Sequence, residues 1–152
     1  MTKLYLWIIH AFAFLMAGRG VTIDQVALAY AIDHEAAIHP IYKTRFLDDA
    51  KMTRALAVAV VWYESGGRVD AVAVNGDGGT CAFQITPGWA TLLEDVHECT
   101  EVGMARLRRS YELDPIYPVA VFARGNRWRT AVARRLSDER EGLAEYLYIA
   151  IR

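Results

Sequence analysis

Residues 55–62 form a run of eight consecutive apolar side chains, Ala-Leu-Ala-Val-Ala-Val-Val-Trp. No polar face interrupts the run, so the element that holds it is buried nearly all round. The β-branched residues Val58, Val60 and Val61 suit a strand, but the alanines and the length of the stretch 47–63 favour a helix. A helix covered on every side needs neighbours on every side, which puts 47–63 at the centre of the fold. Gly66 and Gly67 follow it and supply the left-handed backbone at which helices commonly stop.

The flanking elements read as helices with one small β piece. Residues 24–34 are helical in content, and His39-Pro40 ends that stretch because the residue before proline avoids helical angles. Residues 71–74 and 81–85 are predicted as short strands around Asn75-Gly76-Asp77-Gly78-Gly79, a strong turn signal. Thr86-Pro87 suits a helix start, and Thr91-Leu92-Leu93-Glu94 offers a second through a capping box. Helical pattern continues over 104–111, and Pro115 and Pro118 break the chain before 119–123. The last helix is predicted to begin at Ser137, with Asp138 and Glu139 placed at its positive end. The expected class is mainly α (α+β), with one small β-hairpin.

At 152 residues with 54% apolar and 23% charged side chains, the chain suits one folded domain and not a disordered one. Two cysteines are too few for a disulfide-built scaffold or a four-cysteine metal site. Cys81 and Cys99 can pair in an oxidising compartment or remain two buried thiols. Residues 1–20 read as a signal peptide or an N-terminal apolar helix, and 21–152 as the domain. Lys3 precedes an uncharged run over 4–17, shorter than the roughly 20 residues of a membrane span and typical of a secretory signal. Ala17-Gly18 or Ala29-Tyr30-Ala31 would mark a cut. An ordinary buried first helix and an uncleaved anchor, with transient membrane contact through the N-terminus, are the alternatives to a cleaved leader.

The net charge of −1 hides an asymmetry: residues 102–152 carry 10 basic and 6 acidic groups, while residues 1–101 carry 7 and 12. Such a basic half reads either as solvated helix faces or as a surface for a polyanion, nucleic acid or an anionic wall polymer. No nucleic-acid motif accompanies the arginines, so no nucleic-acid partner is expected.

Glu64 is the first candidate for chemistry. It ends a helix whose preceding residues are almost all apolar. Desolvation and the negative helix end both favour its protonated form, which is what a glycosidic oxygen needs as a proton donor. The plainer alternative is a surface helix end, or a pair with Arg68.

The pattern around it is ordered: Glu64-Ser65-Gly66-Gly67, Asp70-Ala71-Val72-Ala73, Gly76-Asp77-Gly78-Gly79 and Ala82-Phe83-Gln84-Ile85. Ser110, Pro118-Val119-Ala120-Val121-Phe122-Ala123-Arg124-Gly125 and 137–140 follow. Over residues 45–142 the chain resembles the lytic transglycosylases of the lysozyme-like superfamily, of the soluble lytic murein transglycosylase type. The resemblance implies a lysozyme-like helical domain with its hairpin beside an active-site groove. It also implies cleavage of the β-1,4 bond between N-acetylmuramic acid and N-acetylglucosamine in peptidoglycan glycan strands, with 1,6-anhydro ring closure and no cofactor. On that mapping Glu64 is general acid and then base, Ser65 bonds Glu64 or the sugar, and Gln84 positions substrate.

Two positions depart from the pattern. Cys81 stands where the family often has Gly, which ordinary β backbone would tolerate. Phe122 stands where the family often places a Tyr that orients the Glu, so that role passes to a neighbour such as Tyr117 or activity is weak. Among the nearby aromatics, Phe83 and Trp89 are candidates to meet sugar rings, Trp89 the better placed. A second carboxylate, Asp70 or Asp77, would instead make a water-activating muramidase. A catalytically silent wall-binding or assembly protein is the reading from a different class. His34 and His39, five apart, lie about 140° around a helix and miss the zinc motif that needs four. Export to the periplasm or cell exterior follows from the resemblance and the N-terminal run, and the family allows a trans-envelope secretion or conjugation machine as partner.

Overall fold

The computed structural model describes residues 3–73, 78–86 and 94–152. Among these lie six α-helices: α1 (Lys3–Leu15), α2 (Ile23–Ile38), α3 (Asp49–Ser65), α4 (Val96–Leu113), α5 (Ala120–Arg124) and α6 (Ala131–Ala150), with a 3-10 turn over Gly125–Arg127 between the last two. The protein is mainly helical.

The central position of α3 follows from its sequence. Every residue over 52–61 is buried, and α3 packs most extensively on α6, with α1 and α2 also against it. Asp48 starts the helix by accepting from the Lys51 amide. Gly66, at φ 65°, ends it with its amide bonded to the Trp62 carbonyl. Gly67, at φ 78°, lies where a Cβ would come within 3.1 Å of the Gln25 amide nitrogen, so Gly67 serves both the left-handed turn and the close approach of α2.

Two polar residues inside α3 are fully satisfied. Arg54 reaches Asp33 of α2 at 2.6 Å and also bonds the Ala50 and Asp33 carbonyls. The Thr53 hydroxyl accepts from the Ile41 and Tyr42 amides, fastening the α2–α3 connection. Buried polar groups without such partners would cost about 1–3 kcal/mol each.

Helix α1 is built into this core. Tyr5, Trp7, Ile8, Ala11 and Phe12 are buried, and the Trp7 indole donates to the Ile151 carbonyl at the far end of the chain. Among the described residues, no helix is long and apolar enough to cross a membrane.

The final helix begins six residues earlier than the sequence suggests. Thr130 is its cap, accepting from the Ala133 amide. Ser137, expected as the start, is fully buried in mid-helix. Its hydroxyl accepts from the Val119 amide and donates to Glu141, so a residue type that favours caps is used here to dock α5. Burial pushes the Glu141 carboxyl from its ordinary 4.5 up to about 7; Asp138 and Glu145 also raise it, while Ser137 and Arg45 oppose the rise. A carboxyl raised on folding contributes stability that is complete below the unfolded value and lost as pH rises through the folded one. Glu141→Gln is therefore expected to stabilise the protein at pH 8 by on the order of 1 kcal/mol, the part-exposed position reducing the full linkage value. At pH 4 it should change little. Thermal midpoints of both proteins at the two pH values test this, and equal differences at both would refute it.

The expected strand over 81–85 is the main departure. Val72 pairs with Thr80, and Thr80 with Ile85, as isolated antiparallel bridges. Residues 81–85, expected as a strand, instead make a tight turn in which the Gln84 amide bonds the Cys81 carbonyl. A one-sided strand alternates inward and outward side chains. Here Cys81, Ala82, Phe83 and Ile85 are all buried, which that alternation cannot satisfy. Cys81 and Gln84 take φ of 64° and 50°, the left-handed region, where a non-glycine residue is strained by about 1–2 kcal/mol. Cys81 thus does not sit in the ordinary β backbone that its sequence context suggests. A disulfide to Cys99 of α4 holds the turn, with Cα atoms 6.3 Å apart.

Phe83 seals the same contact. It is fully buried over Gly103 of α4, where a Cβ would lie 2.3 Å from the ring. Ala for Gly in a helix interior normally adds about 1 kcal/mol of stability. Gly103→Ala is expected to do the reverse, costing about 2 kcal/mol because the ring must move. Urea unfolding checks the sign; a stabilised variant would show that the contact is not tight.

Candidate functional site

Glu64 opens into a groove of about 920 Å³. One wall is the chain after α3 and the turn, with Val72, Gln84 and Thr86. The other comes from α4 and the α5 segment, with Phe122 and Ala123. The position of Glu64 is a direct consequence of sequence: the last turn of a helix buried along its length emerges from the core where Gly66 stops it.

The Glu64 carboxylate is half-buried and ion-paired. Arg140 of α6 donates to its Oε1 from Nη2 at 2.7 Å and from Nε at 3.2 Å. The third guanidinium nitrogen donates to the Leu136 carbonyl, and the plane lies 4.9 Å from the Tyr63 ring centroid. Arg140 is 7% exposed, so this cation is committed to Glu64. Both bonds fall on one carboxylate oxygen; among the described residues no hydrogen bond goes to Oε2. Arg68, the partner suggested by proximity in sequence, bonds the Ser65 carbonyl instead.

Gln84 reaches the groove as expected. Its amide nitrogen donates to the Ala71 and Cys81 carbonyls at 3.1 and 2.9 Å, which fixes the side chain and ties the turn to the chain leaving α3. Phe122 lines the groove while its ring packs edge-on to Phe83 at 6.5 Å. The Phe122 amide donates to the Ser110 hydroxyl, anchoring α5 on α4.

Other expected site residues lie elsewhere. The Ser65 hydroxyl donates to the Val61 carbonyl one turn back and is buried, so it meets neither Glu64 nor the groove. Phe83 is fully buried and offers no face to a ligand. Tyr117 is engaged by Arg134, 5.3 Å from its ring centroid, and does not line the groove. Trp89 and Asp77 lie outside the described residues. His39 meets Arg108 through Nδ1 at 2.9 Å.

Sequence reading missed Arg140 and the arginines of the groove. Arg68, Arg106, Arg109, Arg124 and Arg127 all line it. The excess of arginine in the second half was the available signal, but charge counting does not say which faces converge. Among the described groove residues Glu64 is the single acid.

The chain matches no family model, no curated protein and no solved structure.

Proposed function

We propose that the chain is a lysozyme-like lytic transglycosylase that cuts the muramic acid–glucosamine β-1,4 bond of peptidoglycan, with Glu64 as its acid and base. The observation that carries this reading is Glu64 itself, half-buried at the end of the central helix and opening into a groove that Gln84 and the α5 segment also line. On this reading Glu64 first takes up a proton on Oε2, the oxygen that Arg140 does not bond, and passes it to the glycosidic oxygen as the C1–O bond breaks. The carboxylate then takes the proton of the muramic C6 hydroxyl, whose oxygen closes on C1 to form the 1,6-anhydro ring. The sugar's N-acetyl group stabilises the cation between the two steps, so one carboxyl suffices.

Glu64 is the single acid among the described groove residues and Asp77 lies outside them, so the one-carboxylate route and a muramidase, which needs a second carboxylate to activate water, are told apart by their products. The Cys81–Cys99 disulfide supports an oxidising compartment, hence export. A trans-envelope machine remains a partner suggested by the resemblance.

A second reading, a glycan-binding protein without catalysis, is favoured by the Arg140 pair, which neutralises the acid, and by Phe122 in place of an orienting tyrosine. Mass spectrometry of digested peptidoglycan separates them. The wild type should release anhydro-muropeptides, and Glu64→Gln should release them about a thousandfold more slowly. Reducing-end products would mean a hydrolase. Binding without fragments from either protein would leave the silent module.

A further inference from the structure

We infer that the groove selects glycan strands still carrying their stem peptides, through guanidinium contacts to the peptide carboxylates. The inference deepens the glycan-cleaving reading and rests on it for the identity of the strand. Its basis is the charge of the groove. Five arginines line it, from three different parts of the fold: Arg68 beyond α3, Arg106 and Arg109 on α4, and Arg124 and Arg127 at the end of α5 and in the 3-10 turn. The one acid among the described groove residues is already occupied by Arg140, which lies outside this set.

Four of the five form no ion pair among the described residues; Arg109 meets Glu112 at 3.6 Å on an exposed face. Arg68 and Arg106 each spend a nitrogen on a backbone carbonyl, of Ser65 and Thr86. Those bonds hold the side chains along the groove, and among the described residues their other donors have no partner. In a chain of net charge −1 this concentration is local, and the cations are all arginine, whose planar fork suits two-oxygen anions.

A neutral sugar strand would use such a wall for hydrogen bonds to its hydroxyl and N-acetyl oxygens but would leave its charge unmatched. The same lining includes Val72, Val121 and Phe122, apolar side chains suited to the C–H faces of sugars. A nucleic-acid strand would call for stacking aromatics, and Phe122 is the one aromatic lining residue among those described. This lining therefore fits a glycan with anionic branches, sugars meeting the apolar side chains and carboxylates the arginines.

The test compares depletion of the full-length protein from solution by two insoluble glycans: peptidoglycan with its stem peptides, and the same material stripped of them by an amidase. The peptide-bearing form should bind about tenfold more tightly at low salt, and the preference should shrink as salt screens the contacts. In the double variant Arg124→Gln, Arg127→Gln the preference should fall below about threefold. Both side chains are exposed, so an unchanged thermal midpoint will certify the fold. Equal binding of the two glycans overturns the inference. So does a preference that survives the double variant, or polyphosphate displacing the protein from peptide-bearing glycan more effectively than free stem peptide does. A preference with no fragments released supports the binding site while removing the catalytic reading; anhydro products released equally from both glycans, with equal binding, do the opposite.

Discussion

Arg140→Gln is expected to destabilise the protein by about 3 kcal/mol, because removing one partner of a buried pair leaves the other desolvated and uncompensated. Its guanidinium is 7% exposed and makes two bonds to Glu64 and one to Leu136, so little water is at hand to replace it. Glu64→Gln should cost less, about 1–2 kcal/mol, since the new carbonyl still accepts from Arg140. The double variant should fall short of the sum by about 1.5 kcal/mol. Urea unfolding of the four proteins measures this coupling, and additive losses would show that the pair is not an energetic unit. The result bears on function directly. An acid held this firmly is a fixed acid, and fixing the carboxylate that must reach a glycosidic oxygen is useful only if Oε2 remains the reacting atom.

Removing residues 1–20 is expected to abolish cooperative folding. At roughly 2 kcal/mol for each of Tyr5, Trp7, Ile8 and Phe12, the lost burial is on the order of 8 kcal/mol, comparable with the whole stability of a domain, about 5–15 kcal/mol. The bond from Trp7 to the Ile151 carbonyl would go as well, leaving that carbonyl to Lys51 alone. Near-ultraviolet circular dichroism and urea titration of a chain beginning at Val21 will show whether a cooperative transition survives. One with an unchanged midpoint would return α1 to the role of a removable leader. A cut at Ala17-Gly18 takes the same four side chains, and one at Ala29-Tyr30-Ala31 also removes buried Leu28.

The parts of the fold legible in the sequence are those where one local signal suffices. The apolar run of α3, its double-glycine stop and the proline breaks specify their elements without help from distant residues. The parts misread are those where tertiary contacts override local preference. Ser137 looks like a cap because serine usually is one, and only the Val119 amide, 18 residues away, explains it in mid-helix. Residues 81–85 look like a strand by composition, yet the disulfide, the Phe83–Gly103 contact and two left-handed residues make them a turn. In the site, Glu64 and Gln84 were readable from their local surroundings. Arg140, 76 residues from Glu64, and the convergence of five arginines were not, because pairing across the fold leaves no local trace.

The bond between Cys81 and Cys99 gives the molecule a covalent topology unlike that of a simple thread. The backbone over 81–99 is a closed ring, and the rest of the protein is two tails leaving it at neighbouring points. Gln84, Ile85 and Thr86 belong to the ring, Glu64 to one tail and Arg140 to the other. A single break within the ring leaves both tails, and so both members of the ion pair, in one covalent piece. Cutting inside the ring therefore parts the two tails only when a reductant opens the disulfide as well.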